Sequence, residues 1–432
     1  MKSIDHRRVY RLPWSLPDNP VAWLEPTSQC NLSCEGCYRE NVKDGHLALD
    51  EIERHLDIFQ RDRNPDGISI AGGDPLTHPQ IVEIVTAVAR RGLKPILNTN
   101  GVKLEEPLLR ELRRVGLKAV TFHIDSKQGR KGWRGKNEIE LCALREQLAR
   151  TVAKVGGITC SFNQTVYPDT LDQVPDVVRW AADNIDIVQV VVFILYRSAR
   201  LDGPFHYFAG GKNVDMQVVP YITEGTKAVY KDLKADDVIA KIREADPLYA
   251  PAGYLNGTED PTSFKWTLAA RFGQRGKSYG YVGPRFMEVG QAGHHLLTGR
   301  YMGYSPRWIQ RMGLPLLAAA PIEPGLKGIA KRFARDVVRN PFVLTKGLHV
   351  QAFMIIQPID VLPDGRQSMC DSCPDMTVYD GRLVWSCRME ELRCFGTFVQ
   401  TVPRPDATTK KKAARPEPTI RARGTLPTPT DA

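Results

Sequence analysis

Apolar positions between residues 21 and 195 follow two periods in turn. Short apolar runs at 21–26, 67–71, 94–98, 118–124, 157–166 and 185–194 read as strands. Between them lie stretches with apolar residues three and four apart, which read as helices. The first of these has Asp50 and Glu53 as a capping-box pair and Ile52, Leu56 and Phe59 on one face. The second begins near Thr77 with Pro79 at its first position and Gly92 past its end; the third, 105–115, is closed by Gly116. Two more follow at 137–155 and 171–184. Six strands alternating with helices predict a parallel sheet covered by helices. Beyond 195 the alternation is lost. The segment 196–350 holds Gly/Pro/aromatic-rich loops, a helix at 236–244 and an amphipathic stretch at 325–340. That stretch sets Leu326, Ile329, Phe333, Val337 and Val338 near one face, with Lys327, Lys331, Arg332, Arg335 and Arg339 on or beside the other. Such a helix has the shape to lie on an anionic bilayer, and equally to cover a core. The pattern divides the chain into an arm (1–20), the alternating unit (21–195), an insertion (196–350), a cysteine-rich module (351–402) and a Pro/Thr-rich basic tail (403–432) expected to be disordered.

Charge changes this picture in one place. The chain's net charge is +10, and 264–340 alone carries 13 Lys/Arg against 3 Asp/Glu. A basic segment of this kind suits an anionic membrane, a nucleic acid or an acidic substrate. No run of about 18 apolar residues is present to span a bilayer, and residues 1–20 carry charges and prolines where a secretory signal needs an apolar core. A soluble or peripheral protein of the cytoplasm is expected, where the nine cysteines bind metal more readily than they form disulfides.

Seven of those cysteines fall in two arrays. Cys30, Cys34 and Cys37 form C-x3-C-x2-C, with Tyr38 directly after. Three thiolates leave one iron of a [4Fe-4S] cube open, the mark of a catalytic rather than a structural metal centre; a zinc loop lacking its fourth ligand, or cysteines that simply pack in a core, are the other readings of these residues alone. Cys370, Cys373, Cys387 and Cys394 follow C-x2-C-x13-C-x6-C around a hairpin-like turn at 379–382. Four ligands can close a metal site, and by spacing alone zinc would be the choice. Polar groups also gather at the ends of the predicted strands: Gly72-Gly73-Asp74-Pro75, then Asn98 and Asn100, then Asp125 and Ser126, then Asn163 and Thr165. Cys142 and Cys160 read as core thiols.

The first array with Tyr38, together with Gly72-Gly73-Asp74-Pro75, resembles the signature of the radical S-adenosylmethionine (radical SAM) superfamily. The resemblance implies a partial (β/α)6 TIM-like barrel with its chemistry at the C-terminal ends of the strands, a basic insertion and a small cysteine-rich metal module. It implies a catalytic cluster on Cys30, Cys34 and Cys37, whose open iron is chelated by the amino and carboxylate groups of SAM. Reductive cleavage of SAM then gives a 5'-deoxyadenosyl radical that abstracts hydrogen from an unactivated carbon, in an oxidoreductase or transferase. Tyr38, Gly72, Gly73, Asp74, Pro75, Asn98, Asn100, Asp125, Ser126 and Asn163 take cofactor-binding roles by the same resemblance, with Asp74 standing where the family has Glu. The second array resembles the auxiliary [4Fe-4S] domains called SPASM and twitch, although its spacing matches neither, so a second cluster and zinc both stay open. A ferredoxin or flavodoxin is the implied electron donor. The run 69–76 is similar to that of radical SAM enzymes of hopanoid lipid synthesis, which favours a lipid or isoprenoid-like substrate and a peripheral place at the inner membrane face. The alternatives are a peptide-modifying maturase and, in another class, a non-enzymatic zinc or redox-sensing metal protein. A nucleic-acid modifier ranks below these, because the charge lies outside the barrel and no RNA-binding motif accompanies it.

Overall fold

In the computed structural model, which describes residues 4–197, 204–219, 233–305, 310–321 and 323–405, the alternating unit folds as six parallel strands with helices between them. These are β1 (Val21–Thr27), α1 (Leu49–Arg63), β2 (Gly67–Gly72), α2 (Ile81–Arg90), β3 (Lys94–Thr99), α3 (Glu106–Arg114), β4 (Ala119–His123), α4 (Cys142–Val155), β5 (Thr159–Val166), α5 (Val174–Asp183) and β6 (Val190–Leu195). Each strand pairs in parallel with the next, from β1 to β6. Ile52, Leu56 and Phe59 of α1 are fully buried and join Ile84, Val88, Leu109 and Val152 from the other helices in one core against the sheet. A largely parallel sheet with helical crossovers and the loops of interest at its C-terminal edge is a partial TIM-like barrel.

Local details depart from the sequence expectations. Helix α1 begins at Leu49 with Ala48 at its N-cap and no side-chain cap; Asp50 is the second residue of the helix and pairs with Arg54, so the Asp50/Glu53 capping box does not form. Helix α2 begins at Ile81, after Pro79, because residues Pro75–Thr77 are taken up by a 3-10 turn whose N-cap is Asp74. Helix α4 starts at Cys142 rather than 137, and β6 at Val190 rather than 185.

The larger departure is in the insertion, which does not stand apart from the barrel. Strand β7 (Gly253–Leu255), β8 (Trp266–Gln274) and β9 (Lys277–Tyr281) belong to the barrel sheet. They reach it through β10 (His349–Ile356), which lies parallel to β6 and antiparallel to β8. The expected helix at 236–244 is α6 (Ala235–Ala245), and the basic stretch is α8 (Pro324–Arg339), preceded by α7 (Pro284–Thr298). Leu326, Ile329 and Phe333 of α8 are buried in a second core with Phe272, Tyr279 and Val282. Most of the apolar face expected to meet a bilayer is therefore already covered by the protein itself, and only its C-terminal end, at Val338, stays exposed. Residues 303–304 close the end of the sheet opposite the cysteine loop. There the Gly303 N–H donates to Asp66 at 2.9 Å, Lys94 pairs with Asp66 at 2.7 Å, and the Tyr304 hydroxyl reaches Ser161.

In the C-terminal module, β11 (Met376–Tyr379) and β12 (Arg382–Trp385) form an antiparallel hairpin. Asp380 and Gly381 both have positive φ, the two-residue turn whose twist matches the strands it joins. The tail from 406 onward lies outside the described residues, as does Trp308.

Candidate active site

Strand β1 delivers the cysteine loop, and the turn after β2 fixes where it starts. Gly73 N–H donates to the Thr27 carbonyl at 2.8 Å and Asp74 N–H to that of Gln29 at 2.8 Å. A side chain at Gly73 would collide with the Gln29 backbone, and one at Gly72, whose φ is +101, with the Thr27 carbonyl. The two glycines thus let the loop that begins at Cys30 pack directly on this turn. Asp74 serves the same end. Its buried carboxylate accepts from Leu76 N at 2.9 Å, Asn100 N at 2.8 Å and the Thr99 hydroxyl at 2.9 Å, which ties the ends of β2 and β3 together and leaves it turned away from the open space.

That open space is a cavity of about 1670 Å³ at the C-terminal edge of the sheet. Of the residues singled out from the sequence, Cys30, Cys34, Cys37, Tyr38, Gly72, Gly73, Asn98, Asn100, Asp125 and Asn163 line it, and so do Cys370, Cys373 and Cys387. Asp74, Pro75, Ser126 and Cys394 do not line it. Cys394 is exposed and its thiol faces the Val218 carbonyl, so the second array meets the cavity with three cysteines, not four. The sequence readings missed His123 as a candidate: its Nε2 lies 3.0 Å from both Asp125 and Thr165, and it too lines the cavity. They also missed Arg39, which is buried between Glu25 and Glu390 at 2.5 and 3.0 Å. The one available signal for Arg39 was its place directly after Tyr38.

The thiols of the first array are neighbours, and burial pushes all three above the ordinary cysteine range. The negative charges of Cys37 and Asp74 press further on Cys30, and those of Asp125, Cys37 and Cys30 on Cys34. Asn100 Nδ2 donates to the Cys30 sulfur at 3.7 Å. In the second array the Cys373 thiol donates to Cys370, which lowers Cys370 and raises Cys373; burial pushes Cys387 up to about 12. The raised thiols, Cys34, Cys37 and Cys387 among them, give up their protons most readily to a cation that replaces them, and soft sulfur donors suit an iron-sulfur cluster or zinc. Two amides on the cavity wall add to the fit, since Asn98 Nδ2 and Asn163 Oδ1 are buried without a protein partner and offer a donor and an acceptor to a polar ligand.

The fold and this loop define a class: an α/β barrel with three cysteines in the loop after its first strand, at the C-terminal edge of the sheet. Residues 24–181 match the family model described as the Radical SAM superfamily, and the chain carries a radical SAM domain. It is 27% identical over 187 residues to 7,8-dihydro-6-hydroxymethylpterin dimethyltransferase of Methanocaldococcus jannaschii, covering 40% of this chain and 35% of that protein. It is 28% identical over 190 residues to the AdoMet-dependent heme synthase of Methanosarcina barkeri, covering 42% and 52%. The chain thus spans between about a third and a half of these curated relatives. Among solved structures, Streptococcus suis SuiB bound to precursor peptide SuiA aligns at 16% identity and a TM-score of 0.34, covering 42% of this chain and 40% of that one.

Proposed function

We propose that this chain is a radical SAM enzyme acting on a large apolar substrate of the lipid or isoprenoid-like kind. The observation that supports the substrate class is the lining of the cavity, where the apolar side chains of Phe205, Met216, Trp266, Ile356, Ile359 and Val361 share the wall with the two cysteine arrays. A pocket of this build holds an apolar ligand by area and orients it with few polar contacts.

Cys30, Cys34 and Cys37 would hold the catalytic [4Fe-4S] cluster, and Asn98, Asn100, Asp125 and Asn163 would meet the polar groups of SAM. When bound, the two supply a 5'-deoxyadenosyl radical, and the chain's own part is to bind, orient and keep water out. Tyr38, with its hydroxyl raised by burial, stays neutral on the wall. Cys370, Cys373 and Cys387 would hold a second cluster, with Cys394 outside the ligand set. The electron donor is a ferredoxin or flavodoxin. A peripheral contact with an anionic membrane would fall to exposed Leu296 and Leu297 at the end of α7 and Val338 of α8, beside the basic residues of this segment. No helix among the described residues is long and apolar enough to cross a membrane.

The test is anaerobic reconstitution with iron and sulfide, followed by SAM, dithionite and either an extract of apolar lipids or a pool of peptides. The expected result is 5'-deoxyadenosine from the wild type, none from Cys30→Ala/Cys34→Ala/Cys37→Ala, and faster formation with lipids. Acceleration by peptides alone would transfer the site to a maturase. Bound metal with no deoxyadenosine under any condition would overturn the enzyme reading.

A further inference from the structure

Six arginines are buried in the described part of the chain: Arg39, Arg63, Arg130, Arg145, Arg271 and Arg388. Four of them have a carboxylate within 4.0 Å: Arg39 has Glu25, Arg145 has Glu138, Arg271 has Asp246 and Arg388 has Glu391. Arg63 and Arg130 have none among the described residues, and these two lie against the two cysteine arrays. Each is held by carbonyl oxygens instead, main-chain ones and, for Arg130, the side-chain oxygen of Gln128 at 2.8 Å. Arg63 Nη2 donates to the Val21, Cys373 and Pro374 carbonyls at 3.2, 2.8 and 3.3 Å. Arg130 Nη2 donates to those of Asn100 and His123 at 2.6 and 3.0 Å. Arg63 is fully buried, and its Nε and Nη1 have no hydrogen-bond partner.

A guanidinium does not shed its proton at neutral pH, so it cannot escape burial by becoming neutral as a lysine can. A buried cation resting on carbonyl oxygens alone is poorly compensated, and folds retain such a charge where an anion completes the site. The negative groups beside Arg63 are Cys373 and then Asp375; beside Arg130 the first is Cys34. We infer that Arg63 is the counter-charge for an anionic, thiolate-ligated iron-sulfur cluster on Cys370, Cys373 and Cys387, and that it raises that cluster's reduction potential. The inference rests on the second-cluster reading above. Arg63 is a positioning and tuning residue, since it acts on the centre through charge and through the main chain of two successive residues, Cys373 and Pro374.

The experiment uses the full chain in the Cys30→Ala/Cys34→Ala/Cys37→Ala background, so that only the second cluster gives a signal, and reads its midpoint by an EPR-monitored redox titration. A nearby positive charge stabilises the added electron. Arg63→Met is therefore expected to cut the ratio of reduced to oxidised cluster at the original midpoint about tenfold, equivalent to about 59 mV for one electron. Arg63→Lys should shift it less than threefold, and Arg130→Met should leave it in place. An Arg63→Met cluster with an unshifted midpoint overturns the inference, and a loss of stability in Asp375→Asn alongside it would reassign Arg63 to that carboxylate. Should Arg63→Met fail to hold a cluster, urea unfolding in a Cys370→Ser/Cys373→Ser/Cys387→Ser background decides the matter. With no cluster to balance Arg63, its replacement by Met should raise the unfolding midpoint, and a lowered midpoint overturns the inference. About four irons in the wild type and none in the first triple variant would instead overturn the second-cluster reading itself, and the role of Arg63 with it.

Discussion

Arg39, two residues past Cys37, donates to the carbonyl of Ser386, one residue before Cys387, at 3.1 Å. One buried guanidinium thereby joins the loop of the first array to the module of the second, with Glu25 of β1 and Glu390 as its charge partners. Removing one member of a buried ionic group strands the others without compensation. Arg39→Ala is expected to lower stability by about 3–5 kcal/mol, read by urea unfolding under anaerobic conditions. Arg39→Lys, which cannot span both carboxylates and the carbonyl in the same fork, should recover only part of the loss.

Gly72 and Gly73 act on the cysteine loop through the backbone. Because a Cβ at Gly73 meets the Gln29 main chain rather than a flexible side chain, Gly73→Ala must push the start of the loop away. Overpacking of this sort costs about 1–3 kcal/mol. Iron bound at the first array should fall in Gly73→Ala while that at the second is kept. Equal loss from both arrays would show general unfolding instead.

The two arrays make separate predictions about metal. After reconstitution the wild type is expected to bind about eight irons and each triple variant, Cys30→Ala/Cys34→Ala/Cys37→Ala or Cys370→Ala/Cys373→Ala/Cys387→Ala, about four. Cys394→Ala should bind as much iron as the wild type, because its thiol lies outside the cavity. Four irons with one tightly bound zinc would make the C-terminal site structural.

What the sequence made legible follows from which interactions are local. The strand and helix order from β1 to β6 could be read because each element carries its own apolar period, and the first array because its three ligands sit within one loop. The joining of β8 to β10 onto β6 could not, since pairing between Val190–Leu195 and His349–Ile356 is a relation between segments with no shared local signal. The separation of Cys394 from its array has the same cause. Spacing placed it as a fourth ligand, but its helix, Met389–Phe395, carries it away from Cys387. Asp74 was read as a ligand contact from its motif; its three donors come from Leu76, Thr99 and Asn100, two of them on another strand's end. The apolar stripe of α8 was visible, but a helix pattern does not say what covers it.

His78 gives the fold a dependence on pH. The Gln80 N–H donates to its Nδ1 at 3.0 Å, so Nε2 carries the proton and donates to the Leu47 carbonyl at 3.0 Å. The ring is thus held neutral, and burial first, then the neighbouring His46, lowers its pKa below the ordinary 6.5. A lowered folded pKa means that the unfolded chain takes up protons first. The stabilisation is complete above about 6.5 and is lost as pH falls through the lowered value. Urea midpoints measured from pH 8 to 5 should decline at the acid end in the wild type, and the part due to this ring should vanish in His78→Gln.

Helices α7 and α8 divide the roles that one amphipathic stretch had seemed to combine. Phe333 is buried in the second core, so Phe333→Ala is expected to cost about 3–5 kcal/mol in stability without changing vesicle binding of the protein that remains folded. Leu296 and Leu297 are each 86% exposed and contribute almost nothing to packing, while the segment around them is strongly basic. In flotation with vesicles of phosphatidylglycerol and phosphatidylcholine, the wild type should rise with the lipid at low salt and detach as salt screens the attraction. Leu296→Asp/Leu297→Asp should keep the wild-type unfolding midpoint and lose flotation, since it removes apolar area and adds two like charges facing the anionic surface. If that variant floats as well as the wild type, the contact lies elsewhere. If neither floats at any salt concentration, the membrane contact is refuted, and the apolar substrate must be delivered to the cavity by a carrier.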